Sequence, residues 1–210
     1  MTDPRVHIQY DSFEAQTHAA RLGMWLFLAS EVLLFSGLFV LYASYRTAHP
    51  EGFSQALHHA RIWLGTGMTF VLLTSSFTVA LAVHAARHGR PRPAGRWIAA
   101  TLVLGVGFLA IKGYEYSVHV HERALPGIYY HFEKAPAPAA NAFFTLYWFM
   151  TGLHGLHVIG GLFALGVCGL LLRRGRIGAR YPTPLELTGM YWHLVDIIWL
   201  FLWPLFYLMR

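Results

Sequence analysis

Charged residues are scarce in this chain of 210 residues, because Asp, Glu, Lys and Arg together make up only 12% of it. Soluble domains carry about 25% charged residues, so the composition argues against a water-soluble globule. There is one cysteine, Cys168, and it stands within an apolar run. It can form no disulfide within the chain, and the CxxC and Cys/His patterns of metal sites are absent from the sequence.

Long apolar runs make up much of the chain, which is 56% hydrophobic. The run from Asn141 to Leu172 contains no Asp, Glu, Lys or Arg and is long enough to cross the roughly 30 Å apolar layer of a bilayer. Its glycines predict close packing against other helices. Similar runs predict an all-α polytopic membrane protein, a single domain over residues 1–210 with five spans at about 22–45, 62–83, 97–120, 141–172 and 187–209. The segments 46–61, 84–96 and 121–140 are predicted to be polar connections.

The distribution of Lys and Arg predicts how the chain is oriented. Five spans place the termini on opposite sides, and ten basic residues fall on the N-terminal side against five on the other. Short cytoplasmic loops are enriched in Lys and Arg, so we expect a cytoplasmic N-terminus and an outside C-terminus. This topology also accounts for the net charge of +6, and no nucleic-acid partner is expected.

Glu31 is the only ionisable side chain inside the first predicted span, and it lies near mid-membrane. A charge there costs at least ~2.5 kcal/mol on insertion scales. The carboxyl group must therefore contact protein, water or a lipid head group, or be protonated. Two roles stay open: a proton-relay or lipid-binding carboxylate, and a buried hydrogen-bonded acid that fixes a contact between helices.

Two further pairs of polar residues stand three apart, which places each pair on one helix face. Lys112 and Glu115 suit an ion pair within their helix, with Glu115 near the outer end where exposure costs less. His193 and Asp196 can bond each other or a neighbouring helix.

His154 and His157 are also three apart, one turn from each other. They could be metal or haem ligands, but a haem iron takes axial ligands from opposite sides of its plane, which one turn of one helix cannot supply. Another helix could offer His193 or His84, but no CxxCH motif and no repeated His spacing supports this. Hydrogen bonds to neighbouring helices are therefore the expected role of these two histidines.

Three segments resemble haem–copper oxidase subunit III. The run Met24 to Val32, with Ser30-Glu31-Val32, resembles that family's "SE[VL]-aromatic-aromatic" helix. Thr151 to Val158 is close to its TGxHGxHV motif, and Tyr191 to Phe201 looks like its YWHFVDxVWLF motif. Glu115-Tyr116 matches its EY pair, and Glu186 matches the acid that precedes its last helix. The motifs follow in order from about residue 20 to the C-terminus.

The resemblance implies the five-helix form of this subunit, in a bacterial inner (plasma) membrane. It implies no haem or copper in this chain, since both belong to subunits I and II. Subunit I is the implied main contact, with subunit II and a small subunit IV as further partners. Phospholipid held in a cleft, support of proton uptake and lasting turnover are implied as well. Lys112 departs from the family, whose members usually carry a neutral amide there, so the arrangement around Glu115 stays open.

The expected function is thus a cofactor-free subunit of an aerobic terminal oxidase that pumps protons, with cytochrome c as the favoured electron donor. A quinol oxidase subunit III and a nitric oxide reductase accessory protein are alternatives within the same fold. An independent membrane transporter or a b-type cytochrome is the alternative of another class. Against these stand the lack of a visible inverted repeat and of haem-ligand geometry.

Overall fold

A computed structural model describes residues 10–58, 60–131 and 138–209, and the side chains from residue 140 onward in the last range. Its α-helices are α1 (Phe13–Ala48), α2 (Pro50–His58), α3 (Ile62–Arg87), α4 (Pro91–His121), α5 (Pro138–Arg173) and α6 (Thr183–Trp203). A 3₁₀ turn (Gly127–Tyr129) follows α4, and a π-helical turn (Pro204–Leu208) extends α6. Five helices are long and apolar enough to cross a membrane, which confirms the predicted all-α, five-span architecture.

Two of the predicted loops are wrong. The segment 46–61 contains α2, whose buried Phe53 and Leu57 face the bundle because they recur at helical spacing. The segment 84–96 is mostly helical, since α3 runs to Arg87 and α4 begins at Pro91, leaving residues 88–90 as the turn. Proline fits the first helical position, where a backbone N–H has no partner to lose. The charged residues and prolines of segment 84–96 therefore belong mostly to helix ends that extend past the apolar layer, and not to a loop.

Helix α6 lies in the middle of the bundle, where Trp192 and Trp199 are fully buried. Trp192 fits because glycines face it from two helices. A Cβ atom on Gly105 of α4 would lie 2.9 Å from the Trp192 ring, and one on Gly161 of α5 would lie 2.7 Å from it. Both distances are shorter than real contacts allow, so close approach at Gly161 confirms the predicted use of glycine on α5.

Helix α1 lies at the edge of the bundle and packs through a narrow stripe. Within its membrane part the buried residues are Leu28, Phe35 and Tyr42, which stand seven apart. A seven-residue spacing keeps one seam of a helix against its neighbours. The Tyr42 hydroxyl donates to the Leu205 carbonyl at 2.7 Å and ties this seam to the end of the bundle core. Most other residues in the membrane part of α1 are exposed and apolar, as expected for a surface that meets lipid or another subunit.

Candidate functional site

Polar side chains of the spans form three groups at different depths. The first is the Glu31–His157 pair between α1 and α5. The second is the Lys112 cluster, which consists of Lys112, Glu115, Tyr147 and Tyr207. The third is the Glu186 triad, in which Arg21 and Arg87 hold Glu186.

The Glu31–His157 pair supplies the partner that Glu31 lacks on its own helix. The Glu31 Oε2 atom lies 2.8 Å from Nε2 of His157, and both side chains are nearly buried. The same imidazole places Nδ1 2.8 Å from the Leu153 carbonyl, one turn earlier in α5. Tyr191 of α6 donates to the His157 carbonyl at 3.1 Å, so three helices meet at this point. The predicted hydrogen bond from His157 to a neighbouring helix is confirmed.

Hydrogen-bond chemistry limits the proton content of this pair. A carbonyl oxygen only accepts, so His157 Nδ1 must carry a proton and donate to Leu153. The 2.8 Å contact between Nε2 and the carboxyl group then holds one proton, on either atom. Imidazolium with carboxylate and imidazole with carboxylic acid both have zero net charge. The pair can therefore shift a proton locally without placing net charge in the bilayer.

The Lys112 cluster is a hydrogen-bonded network near the C-terminal end of α4. The Lys112 Nζ donates to Glu115 Oε2 at 2.7 Å, to the Tyr147 hydroxyl at 2.8 Å and to the Tyr207 hydroxyl at 3.1 Å. These are all three protons of the ammonium group. Tyr207 in turn donates to the Glu115 carboxylate at 2.8 Å. The predicted ion pair within the helix is confirmed, and two tyrosines from other helices complete it.

Although Glu115 lies toward the end of its helix, it is only 3% exposed, and Lys112 is 4% exposed. Lys112 and Glu115 are buried because α2 and the C-terminal turn cover this end of the bundle. Tyr207 of that turn contacts the pair directly. A cavity of 260 Å³ lined by Glu115, His119 and Glu122 still approaches the cluster from the surface.

His154 does not make the hydrogen bonds expected of it. It is fully buried, and neither ring nitrogen has a hydrogen-bond partner among the described residues. Its ring instead lies 5.2 Å from that of Trp199 and 5.8 Å edge-on from that of Phe108. The prediction failed because the apolar rings of α4 and α6 fill the space that a polar partner would need.

His193 and Asp196 share a helix face and do not bond each other in the described structure. His193 Nδ1 lies 2.6 Å from the Ser76 hydroxyl of α3, so the predicted bond to a neighbouring helix is confirmed for this residue. Asp196 is buried, and its two carboxylate oxygens have no hydrogen-bond partner among the described residues. Asp196 therefore does not make the predicted bond to His193, and the Ser76 hydroxyl beside it is bonded to His193 instead.

The Glu186 triad lies at the other end of the bundle, where α1, α3 and α6 meet. Glu186 accepts from Arg87 Nε at 2.7 Å and from Arg21 Nη2 at 3.0 Å. Both arginine side chains are about half exposed, so each ion pair contributes little stability by itself. The triad fixes the three helix ends relative to one another.

A groove between α1 and α6 leads from the Glu186 triad along the apolar surface. Its polar end is a cavity of 410 Å³ that includes Arg21, Arg87 and Glu186. An adjoining cavity of 630 Å³ has an apolar lining that includes Trp25, Val32 and Leu194. Met190 and His193 border both cavities. Polar groups at one end and an apolar wall along the rest match the two parts of a phospholipid.

No group of three or more His, Cys, Asp or Glu side chains that could hold a metal ion is present in the described part of the chain. What the polar groups can do is fix helices and hold protons or lipid. Sequence reasoning missed Tyr147 and Tyr207, because the signal was weak: each is one aromatic among many, far from Lys112 along the chain. Arg21 and Arg87 were read only as topology signals.

The chain is similar throughout to a group of respiratory proteins. The family model of cytochrome c oxidase subunit III matches residues 7–210. A probable cytochrome c oxidase subunit 3 of Nocardia farcinica is 32% identical, over 90% of this chain and 87% of the relative. Quinol oxidase subunit 3 of Bacillus subtilis is 31% identical, over 93% and 91%. Cytochrome c oxidase subunit 3 of Bacillus sp. PS3 is 32% identical, over 90% and 84%.

Proposed function

The chain belongs to the cytochrome c oxidase subunit III family, and on that premise we propose that it docks beside subunit I of the oxidase and keeps it active over many turnovers. As a subunit III of a haem–copper oxidase it is part of an oxidoreductase complex, and the catalytic centre lies outside it. Haem and copper belong to subunits I and II, and subunit II and a small subunit IV are further partners.

One observation carries this proposal: residues from separate family motifs form one site. Glu31 comes from the first motif and His157 from the second, and they lie 2.8 Å apart. Tyr191 of the third motif bonds the backbone of His157 at 3.1 Å. A neutral proton-holding pair at a three-helix junction suits a subunit that supports proton uptake by a neighbour.

Phospholipid is the ligand proposed for the groove between α1 and α6. The arginines of the Glu186 triad stand where a phosphate would lie, and the cavity of 630 Å³ below them is apolar. Glu31 is one residue from groove-lining Val32. In this arrangement the groove lipid stabilises α1, which otherwise packs through a single stripe.

The proposed setting is a bacterial plasma membrane, with the N-terminus in the cytoplasm. The basic residues of the α3–α4 and α5–α6 connections support this orientation. Cytochrome c is the proposed electron donor. A relative named cytochrome c oxidase subunit 3 is 32% identical to this chain, and one named quinol oxidase subunit 3 is 31% identical, so similarity does not distinguish the two donors. The sequence of subunit II identifies the donor, because a dinuclear copper motif there means cytochrome c.

The test compares the purified oxidase with and without this chain. The complex lacking it should begin turnover at nearly the normal rate and then lose activity during turnover several times faster. Adding back the chain should restore the lifetime. An oxidase whose activity decays at the same rate with and without the chain would refute the proposed role, while leaving the family membership in place.

A further inference from the structure

A further cavity lies away from the groove, the Lys112 cluster and the Glu31–His157 pair. It measures 940 Å³ and opens between the start of α4, the end of α5 and the loop that follows α5. We call it the Arg92 cavity. Its lining includes Arg92, Arg96 and Arg173, with Gly95, Ala99 and Leu172.

The backbone brings these parts together. Arg92 and Arg96 stand four apart on α4 and so project from one face. Gly95 lies between them, and a Cβ atom there would be 3.8 Å from Leu172, which shows how closely α5 approaches. Gly89 has a positive φ of 66° and touches the loop after α5, since its Cβ position is 3.7 Å from Ala179. The two connections on this side thus form one wall of the cavity.

The arginines of this cavity are unneutralised within the described chain. None of Arg92, Arg96 and Arg173 forms an ion pair or a side-chain hydrogen bond with a described residue, and no Asp or Glu lines the cavity. The contrast is with Arg21 and Arg87 on the same side of the bundle, which share the carboxylate of Glu186 as a counter-charge. Three free guanidinium groups around one cavity attract an anion more strongly than scattered charges do.

The lining of the Arg92 cavity indicates which kind of anion would bind there. A guanidinium group presents its N–H donors in a planar fork that matches the oxygens of a phosphate. The floor beside Ala99 and Leu172 is apolar, and Trp97, next to Arg96, is 38% exposed, as in an interfacial anchor. Basic pockets between membrane helices bind the phosphates of lipid head groups.

We propose that the Arg92 cavity binds a phosphate group at this end of the bundle, carried by an anionic phospholipid or by a soluble polyphosphate. The site stands apart from the groove between α1 and α6, so it holds whether or not that groove binds lipid. A phosphate held here joins α4 to α5 and to the loop before α6.

The test uses the full chain in nanodiscs of phosphatidylcholine. In one arm the discs contain graded amounts of cardiolipin, and native mass spectrometry counts the cardiolipin retained on the chain. In the other arm the discs hold only phosphatidylcholine, and calorimetry follows binding of pyrophosphate from solution. Retention of cardiolipin alone identifies a lipid source, and binding of pyrophosphate alone identifies a soluble one; either supports the site.

Two variants and a matched control locate the binding. The first variant, R92Q/R96Q/R173Q, should weaken binding about 100-fold, because each arginine near a membrane surface contributes roughly fivefold to the affinity for an anion. The control, R174Q/R176Q/R180Q, removes equal charge from the loop after α5, outside the cavity, and should weaken binding less than about fivefold. Ala99→Trp fills the floor while keeping every charge, and should also prevent binding.

Several results would overturn the proposal. Equal losses in the cavity variant and the control would mean that only the overall positive charge of this side attracts anions. Full binding in Ala99→Trp would place the ligand outside the cavity. Absence of binding by the wild-type chain in both arms would also reject the site. If the cavity variant fails to fold, as judged by its thermal midpoint, Ala99→Trp decides alone.

Discussion

Two charged groups inside a bilayer lose hydration that only close partners can replace. Lys112 and Glu115 are both almost fully buried, and the hydroxyls of Tyr147 and Tyr207 complete their hydrogen bonds. Such a pair need not stabilise the fold relative to apolar residues of the same size. Removing one partner is different, because it leaves the other charge buried alone.

Single and double substitutions in the Lys112 cluster should therefore have different effects. Glu115→Leu should destabilise the chain by about 3–5 kcal/mol, because the ammonium group keeps no counter-charge. The double variant Lys112→Met/Glu115→Leu should recover most of that loss. Denaturant titration of the full chain in detergent micelles measures both. If the double variant lost as much stability as Glu115→Leu and Lys112→Met added together, the two charges would not be coupled, which would contradict this explanation.

Glu31 is predicted to matter for sustained rather than initial activity. Glu31→Gln keeps a side-chain N–H that can donate to His157 Nε2, so this variant should behave nearly like the wild type. Glu31→Ala removes the hydrogen bond between α1 and α5 and should shorten the active lifetime of the assembled oxidase. The lifetime during steady turnover is the quantity to measure.

Single-turnover proton uptake separates this structural role from proton transfer through Glu31. The Gln variant has no exchangeable acid proton, so a proton-relay role requires slow uptake already in the first turnover. We expect normal proton uptake in the Glu31→Gln variant and a shortened active lifetime in the Glu31→Ala variant. Slow uptake in Gln would assign Glu31 to the proton path.

At the level of helices, glycines decide where two elements can meet. Gly65 of α3 faces Tyr207, and a Cβ atom there would lie 2.7 Å from the tyrosine ring. The backbone of α3 therefore fixes the ring that bonds the Glu115 carboxylate at 2.8 Å. This links the position of α3 to the integrity of the Lys112 cluster.

Gly65→Ala is accordingly predicted to displace Tyr207 and to destabilise the chain by about 1–3 kcal/mol, the usual cost of overpacking. Gly67→Ala is the matched control on the same helix, because nothing lies within 4 Å of its Cβ position. The control should be neutral or slightly stabilising. Thermal midpoints of the two variants in the same detergent provide the comparison. Equal midpoints would mean that Tyr207 adjusts without cost.

Helix periodicity and composition predicted the five spans, since apolar length alone determines which segments can cross a bilayer. They did not predict which face of a span meets which helix. On α5 the glycines all signalled close packing, yet Gly161 contacts Trp192 while Gly155 has nothing within 4 Å. Only the arrangement of the helices distinguishes the two.

The same limit applies to the polar residues. Lys112 and Glu115 were predictable as a pair because both lie on one turn of one helix. The contact from Glu31 to His157 joins two spans, so the sequence indicated only that a partner was needed. His154 stands in the same short motif as His157 and faces aromatic rings instead, a difference that side-chain packing sets and spacing cannot reveal.

For the molecule as a whole, the central claim is that this chain works as the cofactor-free third subunit of a haem–copper oxidase. Its described residues supply polar groups that fix helices and hold protons. As a subunit III, the chain belongs to an oxidoreductase complex whose catalytic centre lies outside it.

Affinity purification of the tagged chain tests this most directly. From native membranes in mild detergent, the chain should bring down subunit I, and the reduced-minus-oxidised spectrum should show haem in a fixed ratio to the chain. The same chain expressed alone should show no Soret band and no stoichiometric copper. A chain that purifies from native membranes without any haem protein, or that binds haem or copper by itself, would contradict the account.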